Sequence, residues 1–343
     1  MNWRNCGGLA KTGLGGLLAA LSISAACAQG TGGYSELERI PGPDGGWDYA
    51  SIDAPSRQLY LGRDAGVLAM NLDTRKITPI LVAGAGVHSA LLIPGTKLLV
   101  VTNGDSNKIT VFSLESGKVI GALPAGGMPD AATYEPKSGL VAVMNHKGGS
   151  VTLIDPKTPS VVATVKVGGE LEFGAAAGDG RLFVNVANKS EIAVIDVPAH
   201  KLVNSLKMKG CSDPSGLGYD SDSDLLVSVC GNGVTKFLHA AHGDEVATIK
   251  TGTGSDGVIL DIDRKIAFIP AGKEGTMAVI SLAGEKPTLI QMLKTQKSAR
   301  LGALDAKTGI VYLPVGKLGP PVPPDPWPTV VAGSFQFLVI GKK

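Results

Sequence analysis

The sequence predicts an all-β protein with the fold of a seven-bladed β-propeller. The stretch from Leu98 to Val167 contains three short runs rich in β-branched residues, and then three more in the same order at an offset of 42 residues. A repeat of this length, punctuated by Gly, Asn, Asp and Pro, is typical of a radial propeller in which each repeat forms one blade. The 47 glycines and the 5% aromatic content also favour short strands and tight turns over helices.

The first 28 residues have the features of a secretory signal peptide. Two basic residues precede an apolar run from Leu14 to Ile23, and small residues follow at Ala26-Cys27-Ala28. The apolar run is too short to span a bilayer. We therefore expect a signal peptide over residues 1–28, no transmembrane segment in the mature chain, and a single propeller domain over residues 29–343.

Export predicts a periplasmic or secreted protein. Residues 24–27 also resemble a lipoprotein box, so a form anchored to lipid through Cys27 is the alternative. Arg4 and Lys11 are the charged residues of the signal, and their removal leaves 30 basic and 30 acidic groups. Because binding to phosphate backbones depends on a positive field, this balance argues against nucleic acid as a partner. We expect a monomer.

The repeat places the strands of the seven blades along the chain. Each blade is predicted to have an inner, a second, a third and an outer strand. The second strands are predicted to begin at Leu59, Leu98, Leu140, Leu182, Leu225, Ile266 and Val311. The third strands are predicted to begin at Val67, Ile109, Val151, Ile192, Val234, Met277 and Phe335.

The last interval between third strands is longer than the others because blade seven contains a Pro-rich insertion, residues 316–334. Proline lacks the backbone donor that a central strand requires, so the insertion is predicted to be a loop. Pro-rich segments are stiff and extended, which favours a lid or collar that Trp327 anchors over the channel. The alternative is a rigid surface decoration without a function.

The predicted strand at Tyr34–Ile40 has no hairpin partner beside it in the sequence. Blade seven, in turn, lacks an outer strand after residues 335–340, and its third strand would expose a long apolar edge. We therefore predict that residues 34–40 pair with residues 335–340 as the outer strand of the last blade.

Two cysteines, Cys211 and Cys230, remain after removal of the signal. Cys211 lies just before the inner strand of blade five and Cys230 at the end of the second strand, so an antiparallel hairpin brings them to the same end of the blade. Export favours oxidation, and we predict a disulfide. A reactive or metal-binding thiol pair is the alternative.

Residues 101–112 (VTNGDSNKITVF) and 116–121 (SGKVIG) resemble the YVTN-type propeller repeat of exported bacterial proteins. Later segments, among them residues 211–220 (CSDPSGLGYD) and 254–258 (GSDGV), resemble the YncE-like branch of that family. The resemblance covers residues 34–343 and implies seven blades and export without fixing a reaction. The sequence has no Cys-x-x-Cys-His, Gly-x-Ser-x-Gly or phosphate-loop motif.

One polar position recurs at the start of each predicted inner strand, at intervals of 40 to 44 residues. The residues at this position are Asp48, His88, Asp130, Glu172, Asp213, Asp256 and Arg300. Inner strands line the central channel of a propeller, so the position predicts a ring of charged groups around the axis. We take these seven as candidate ligand-binding residues.

Crowded carboxylates raise one another's pKa unless a cation or an arginine relieves them. A hard divalent cation such as calcium would suit the oxygen ligands of Asp48, Asp130, Glu172 and Asp256. Arg300 could instead bind a small polar ligand. The alternative without function is that each acid accepts hydrogen bonds from neighbouring backbone and joins one blade to the next. On the same reasoning, His88 alone is an ordinary loop histidine rather than a base.

These observations favour a non-enzymatic binding or scaffold propeller whose funnel face, the face that carries the ring, recognises a small molecule or a protein partner. The loops between second and third strands lie on this face and include Asn145-His146-Lys147. The alternative is a metal-assisted enzyme, lactonase- or lyase-like, with its site at the ring.

Overall fold

Seven four-stranded antiparallel sheets make up the chain in the computed structural model, which describes residues 32–322 and 328–343. The inner strands of consecutive sheets contact each other in sequence, and the first inner strand also contacts the last. The sheets are therefore blades around a closed ring, and the predicted seven-bladed propeller is confirmed.

The strands of each blade follow one another in the chain. The inner strands are β2 (Ala50–Asp53), β6 (Val87–Leu92), β10 (Pro129–Glu135), β14 (Leu171–Ala176), β18 (Pro214–Asp220), β22 (Ile259–Asp261) and β26 (Ala303–Asp305). The second strands are β3 (Gln58–Arg63), β7 (Leu98–Asn103), β11 (Leu140–Asn145), β15 (Arg181–Val186), β19 (Leu225–Cys230), β23 (Ile266–Ala271) and β27 (Ile310–Val315). All seven second strands begin within one residue of the predicted position.

The third strands are β4 (Gly66–Asn71), β8 (Lys108–Ser113), β12 (Ser150–Asp155), β16 (Glu191–Asp196), β20 (Val234–His239), β24 (Thr276–Ser281) and β30 (Gln336–Lys342). The outer strands of the first six blades are β5 (Ile77–Ala83), β9 (Lys118–Pro124), β13 (Ser160–Lys166), β17 (Lys201–Lys207), β21 (Glu245–Lys250) and β25 (Thr288–Lys294). A short 3-10 helix, Ala187–Lys189, joins β15 to β16.

The hydrophobic core lies between the blades. Leu99, Val100 and Val101 of β7 are each fully buried, although successive side chains of a strand point to opposite faces. Both faces of the strand are therefore covered, one by each neighbouring blade. This arrangement explains why the second strands are continuous apolar runs rather than alternating ones.

The N-terminal strand β1 (Tyr34–Pro41) closes the last blade, as predicted. It pairs antiparallel with β30 from Tyr34 opposite Lys342 to Pro41 opposite Gln336. The Tyr34 side chain is buried and packs edge-on against the ring of Phe268, with 4.8 Å between ring centroids. Backbone hydrogen bonds thus join the two ends of the propeller domain.

Acidic residues stand at the far ends of five inner strands, where each accepts at least one hydrogen bond from the turn that follows. They are Asp53, Glu135, Asp220, Asp261 and Asp305. The Ser138 amide donates to Glu135 over 2.8 Å, and the Thr308 hydroxyl donates to Asp305 over 2.6 Å. We call these five residues the exit acids.

Two of the exit acids also connect neighbouring blades. Glu135 of blade three accepts a hydrogen bond from the Gly180 amide of blade four at 3.1 Å. Asp305 of blade seven pairs with the Arg57 guanidinium of blade one at 2.6 Å. These contacts place side chains at the seams between blades, where they add to the apolar packing.

The Pro-rich insertion forms its own two-stranded hairpin, β28 (Leu318–Pro321) with β29 (Pro328–Val330), outside the sheet of blade seven. The prediction that it does not belong to a central strand is therefore correct, but it is not a loop throughout. Its base lies near the channel, because Gly316 exchanges hydrogen bonds with the Ser298 hydroxyl. Trp327 lies outside the described residues, so its anchoring role stays a prediction.

Cys211 and Cys230 form the predicted disulfide, with 5.3 Å between their Cα atoms. The predicted signal peptide and Cys27 lie outside the described residues. Within the described ranges, the structure contains no helix of the length and hydropathy that crossing a bilayer requires.

Candidate functional site at the channel mouth

The residues predicted to form the ring lie at or just before the first residues of the inner strands, at the end of the central channel that we call the channel mouth. Six of the seven are only partly exposed or buried: Asp48, His88, Asp130, Glu172, Asp256 and Arg300. Five of these six belong to one continuous set of contacts.

His88 connects two of the carboxylates. Its Nδ1 lies 2.7 Å from Oδ2 of Asp48 and 3.3 Å from Oδ1 of Asp130. One ring nitrogen from blade two therefore meets acids from blades one and three.

Arg300 extends these contacts to blades six and seven. Its Nε donates to Oδ2 of Asp256 at 2.9 Å, and its Nη2 lies 3.8 Å from Oδ1 of Asp48. Nη2 also donates to the Trp47 carbonyl at 2.6 Å, and the guanidinium lies 5.7 Å from the centre of the Trp47 ring. These contacts fix the guanidinium at the mouth.

The sixth ring residue, Glu172, pairs with a histidine that the ring position does not contain. Nδ1 of His146 lies 3.1 Å from Oε1 of Glu172 and 3.0 Å from the Leu171 carbonyl oxygen. His146 follows the second strand of blade three, in a loop assigned to this face from the sequence but not identified there as a candidate ligand. Its amide donates to the Met128 carbonyl, which holds it next to Asp130.

Asp130 is common to two potential metal-binding groups. One ligand atom each from Asp48, His88 and Asp130 lie within 4.8 Å of one another, and so do atoms from Asp130, His146 and Glu172. The Asp130 side chain is nine-tenths buried. Within the described residues, its carboxylate accepts no hydrogen bond from the backbone.

Asp213 does not join the ring. The residue is exposed, and its φ of 47° places it in the left-handed region. Its carbonyl accepts a hydrogen bond from the Gly231 amide, which holds this turn next to the disulfide. In the part of the chain that is described, its carboxylate has no ion pair with the other ring residues.

Tyr49 lies directly below the charged groups and was not identified from the sequence. Its ring packs against Phe173 of blade four, with 5.1 Å between centroids, so side chains of blades one and four meet across the channel. Both residues line a cavity of about 250 Å³ that continues along the inner strands of blades one, six and seven. The channel mouth is therefore charged above Tyr49 and largely apolar below it.

The crowding of the carboxylates shifts their ionisation. Burial, reinforced by the charge of Asp48 and opposed by His88, raises the pKa of Asp130 well above its usual range. Burial also raises the pKa of Asp256, and although Arg300 opposes this shift the value is about 6. For Tyr49, burial and the charges of the surrounding carboxylates raise the pKa well above 10.

The pKa values of the two histidines at the mouth are raised, which favours the charged form of each imidazole. Burial lowers the pKa of His88, but the hydrogen bond to Asp48 and the charges of Asp48 and Asp130 outweigh burial and raise it to about 9. The hydrogen bond to Glu172 raises the pKa of His146. Without a bound cation, protons on the imidazoles therefore balance part of the carboxylate charge.

In the alternative without function, the ring acids would accept hydrogen bonds from neighbouring backbone and so join the blades. The described part of the chain does not contain such bonds at the channel mouth. Among the described residues, no backbone amide donates to the carboxylates of Asp48, Asp130, Glu172 or Asp256. Side-chain hydroxyls of the inner strands form hydrogen bonds that join neighbouring blades. Ser51 donates to the Ala90 carbonyl at 2.6 Å, and Thr133 donates to the Gly174 carbonyl at 2.6 Å, each across the seam to the next blade.

Comparison with known proteins supports the fold and no closer relationship. No protein-family model and no curated protein matches the sequence. A chain of the mitotic checkpoint complex is 15% identical, with a TM-score of 0.71 over 89% of this chain and 96% of that chain. A chain of hydrazine synthase from Kuenenia stuttgartiensis is 14% identical, with a TM-score of 0.70 over 82% of this chain and 96% of that chain. The fold and the site together define a β-propeller with a charged channel mouth.

Proposed function

We propose that the protein is a binding propeller that holds a divalent cation at the channel mouth and recognises a small molecule or a partner there. The observation that carries this proposal is Asp130, a nine-tenths buried carboxylate that is shared by two groups of potential ligands. It has no backbone donor among residues 32–322 and 328–343. Burial and the neighbouring carboxylates disfavour the charged form of Asp130, and a cation between these groups would stabilise that form.

The donor set favours a transition metal over calcium. Calcium binds almost exclusively to oxygen, whereas imidazole nitrogens suit zinc and its neighbours. The ion would lie against Asp130, with Asp48 and His88 on one side and His146 and Glu172 on the other. A contact between His146 and a backbone carbonyl, as with Leu171, is the kind of support that orients histidine ligands.

Isothermal titration of metal-stripped protein with Zn²⁺, Mn²⁺ and Ca²⁺ tests the proposal. We expect one equivalent of Zn²⁺ or Mn²⁺ to bind at least about tenfold more tightly than Ca²⁺, and Asp130→Asn to weaken binding by at least about tenfold. Asp213→Asn is the matched control, because Asp213 has the same position in its blade but lies outside the cluster. Equal effects of the two substitutions would contradict the proposal.

Metal-assisted hydrolysis is the second candidate function. It is favoured by the pKa of about 6 at Asp256, because a carboxyl group that titrates near neutral pH can transfer protons. Hydrolysis of simple lactones by the metal-loaded protein, lost with a chelator and with Asp256→Asn, would support an enzyme. If the protein binds the metal but hydrolyses no lactone, the enzyme hypothesis is rejected and the binding role is retained.

We also propose that the protein is exported and belongs to the YVTN-repeat, YncE-like group. The support is the repeat at residues 101–121, the apolar segment that precedes Ala28 and the disulfide, which forms most readily outside the cytoplasm. Mass determination of the mature N-terminus in a bacterial host would test export. A chain that begins after Ala28 is expected, whereas a lipid-modified Cys27 would indicate the anchored form.

A further inference from the structure

The cavity below the channel mouth is built from the residues that directly follow the ring residues. Asp48, Glu172, Asp256 and Arg300 are each followed by a cavity-lining residue; these are Tyr49, Phe173, Gly257 and Leu301. In these four blades, a charged group therefore lies at the mouth and the next residue lines the cavity. A molecule in the cavity would therefore lie next to Tyr49 and Leu301, one residue along the chain from Asp48 and Arg300.

The lower part of this space is mainly apolar. Besides Tyr49 and Phe173 it is lined by Ile52, Leu260 and Leu304, from the inner strands of blades one, six and seven. Apolar cavities of about 150 Å³ accept benzene. A cavity of about 250 Å³ has room for a phenyl ring and a short alkyl chain.

The upper end has the groups for an anion once a cation is bound. Arg300 is half-buried at the mouth, and its guanidinium carries five donors, of which two make the described contacts with Asp256 and Trp47. A divalent cation at Asp130 would neutralise the surrounding acids and offer an open coordination position. A carboxylate can bridge a metal and a guanidinium, because both bind its two oxygens well.

We infer that the ligand of this site is a small carboxylic acid with an apolar or aromatic tail, bound with its carboxylate at Arg300 and the cation and its tail in the channel cavity. The inference rests on the cation site proposed above. Without the cation, the four acidic side chains of the mouth repel the carboxylate of the ligand. Binding of the ligand therefore depends on the metal.

Binding of 3-phenylpropanoate and of its amine counterpart, 3-phenylpropylamine, to metal-loaded and metal-stripped protein tests the inference. We expect the carboxylate to bind the zinc-loaded protein at least about tenfold more tightly than the stripped protein, and the amine to show no such gain. Arg300→Gln should weaken carboxylate binding about tenfold or more, because it removes a charge-assisted hydrogen bond.

The cavity is tested separately by Phe173→Trp, which enlarges a wall residue. We expect this substitution to weaken 3-phenylpropanoate binding about tenfold while zinc binding stays unchanged. Val203→Trp is the control, because Val203 is exposed on β17 far from the channel. Zinc binding without metal-dependent binding of the carboxylate would overturn the inference and leave the cation site intact. Failure of zinc to bind would overturn both.

Discussion

The inner strands carry acidic residues at both ends, and the two ends differ in how the carboxylates are satisfied. Asp130 and Glu135 make the comparison most directly, because both belong to β10 and both are buried. Glu135 accepts hydrogen bonds from the amides of Lys137, Ser138 and Gly180. Asp130 accepts none from the backbone of the described residues, and it faces Asp48 and His88 instead.

The difference separates acids that maintain the fold from acids that are available for binding. A carboxylate that receives several amide hydrogen bonds is stabilised in its charged form and contributes to stability. Crowded carboxylates without such donors cost stability, and natural proteins keep such arrangements mainly where function requires them. We therefore assign the exit acids to the architecture and propose the acids of the channel mouth as the functional site.

The largest effect is expected when an exit acid that bridges two blades is removed. Asp305→Ala deletes the buried partner of Arg57, whose guanidinium then keeps only the exposed carboxylate of Asp73, and it also removes the acceptor of the Thr308 hydroxyl. We expect the free energy of unfolding to fall by about 3–5 kcal/mol. Urea denaturation of the two proteins measures this. A loss below about 1 kcal/mol would show that the exit acids are not structural.

Substitutions at the two ends of β10 compare the contribution of an exit acid to stability with that of a ring acid on the same strand. Glu135→Gln keeps the shape but replaces an acceptor with an amide donor, so we expect a loss of about 1–3 kcal/mol. Asp130→Asn replaces a carboxyl group that already resists ionisation, and in metal-free protein we expect a change within about 0.5 kcal/mol or a gain. Equal destabilisation by the two substitutions would remove the distinction between the two ends.

A smaller effect concerns the pH dependence of metal-free protein. The pKa of His88 is raised to about 9, so its contribution to stability is fully present below pH 6.5 and is lost as the pH rises through 9. The stability difference between the wild type and His88→Gln should therefore shrink between pH 6.5 and pH 9.5. Thermal unfolding at a series of pH values measures it, and a constant difference would argue against a charged His88.

The blade pattern and most of the ring could be predicted from the sequence because both depend on regular spacing. A fixed distance separates the start of an inner strand from the second strand, so one position per blade identifies Asp48, His88, Asp130, Glu172, Asp256 and Arg300. Closure by residues 34–40 followed from the unpaired edge of blade seven in the same way.

The features of the site that the sequence did not predict depend on contacts that do not repeat from blade to blade. His146 reaches the mouth because the hairpin of blade three pairs Pro129 with Asn145 and so places the next residue beside Asp130. Tyr49 follows a ring residue but acts through its size, because it meets Phe173 across the channel. Asp213 fits the spacing and still lies apart, because a local left-handed conformation beside the disulfide turns it away.

Anomalous X-ray diffraction from crystals grown with Zn²⁺ tests the central claim, that the acids of the channel mouth form a cation site. We expect one strong anomalous peak at about 2.0–2.2 Å from a carboxylate oxygen of Asp130 and from a nitrogen of His88 or His146. The peak should be absent in Asp130→Asn and present in Asp213→Asn. An empty channel mouth, with zinc only at surface histidines such as His239, would show that these acids do not form a cation site.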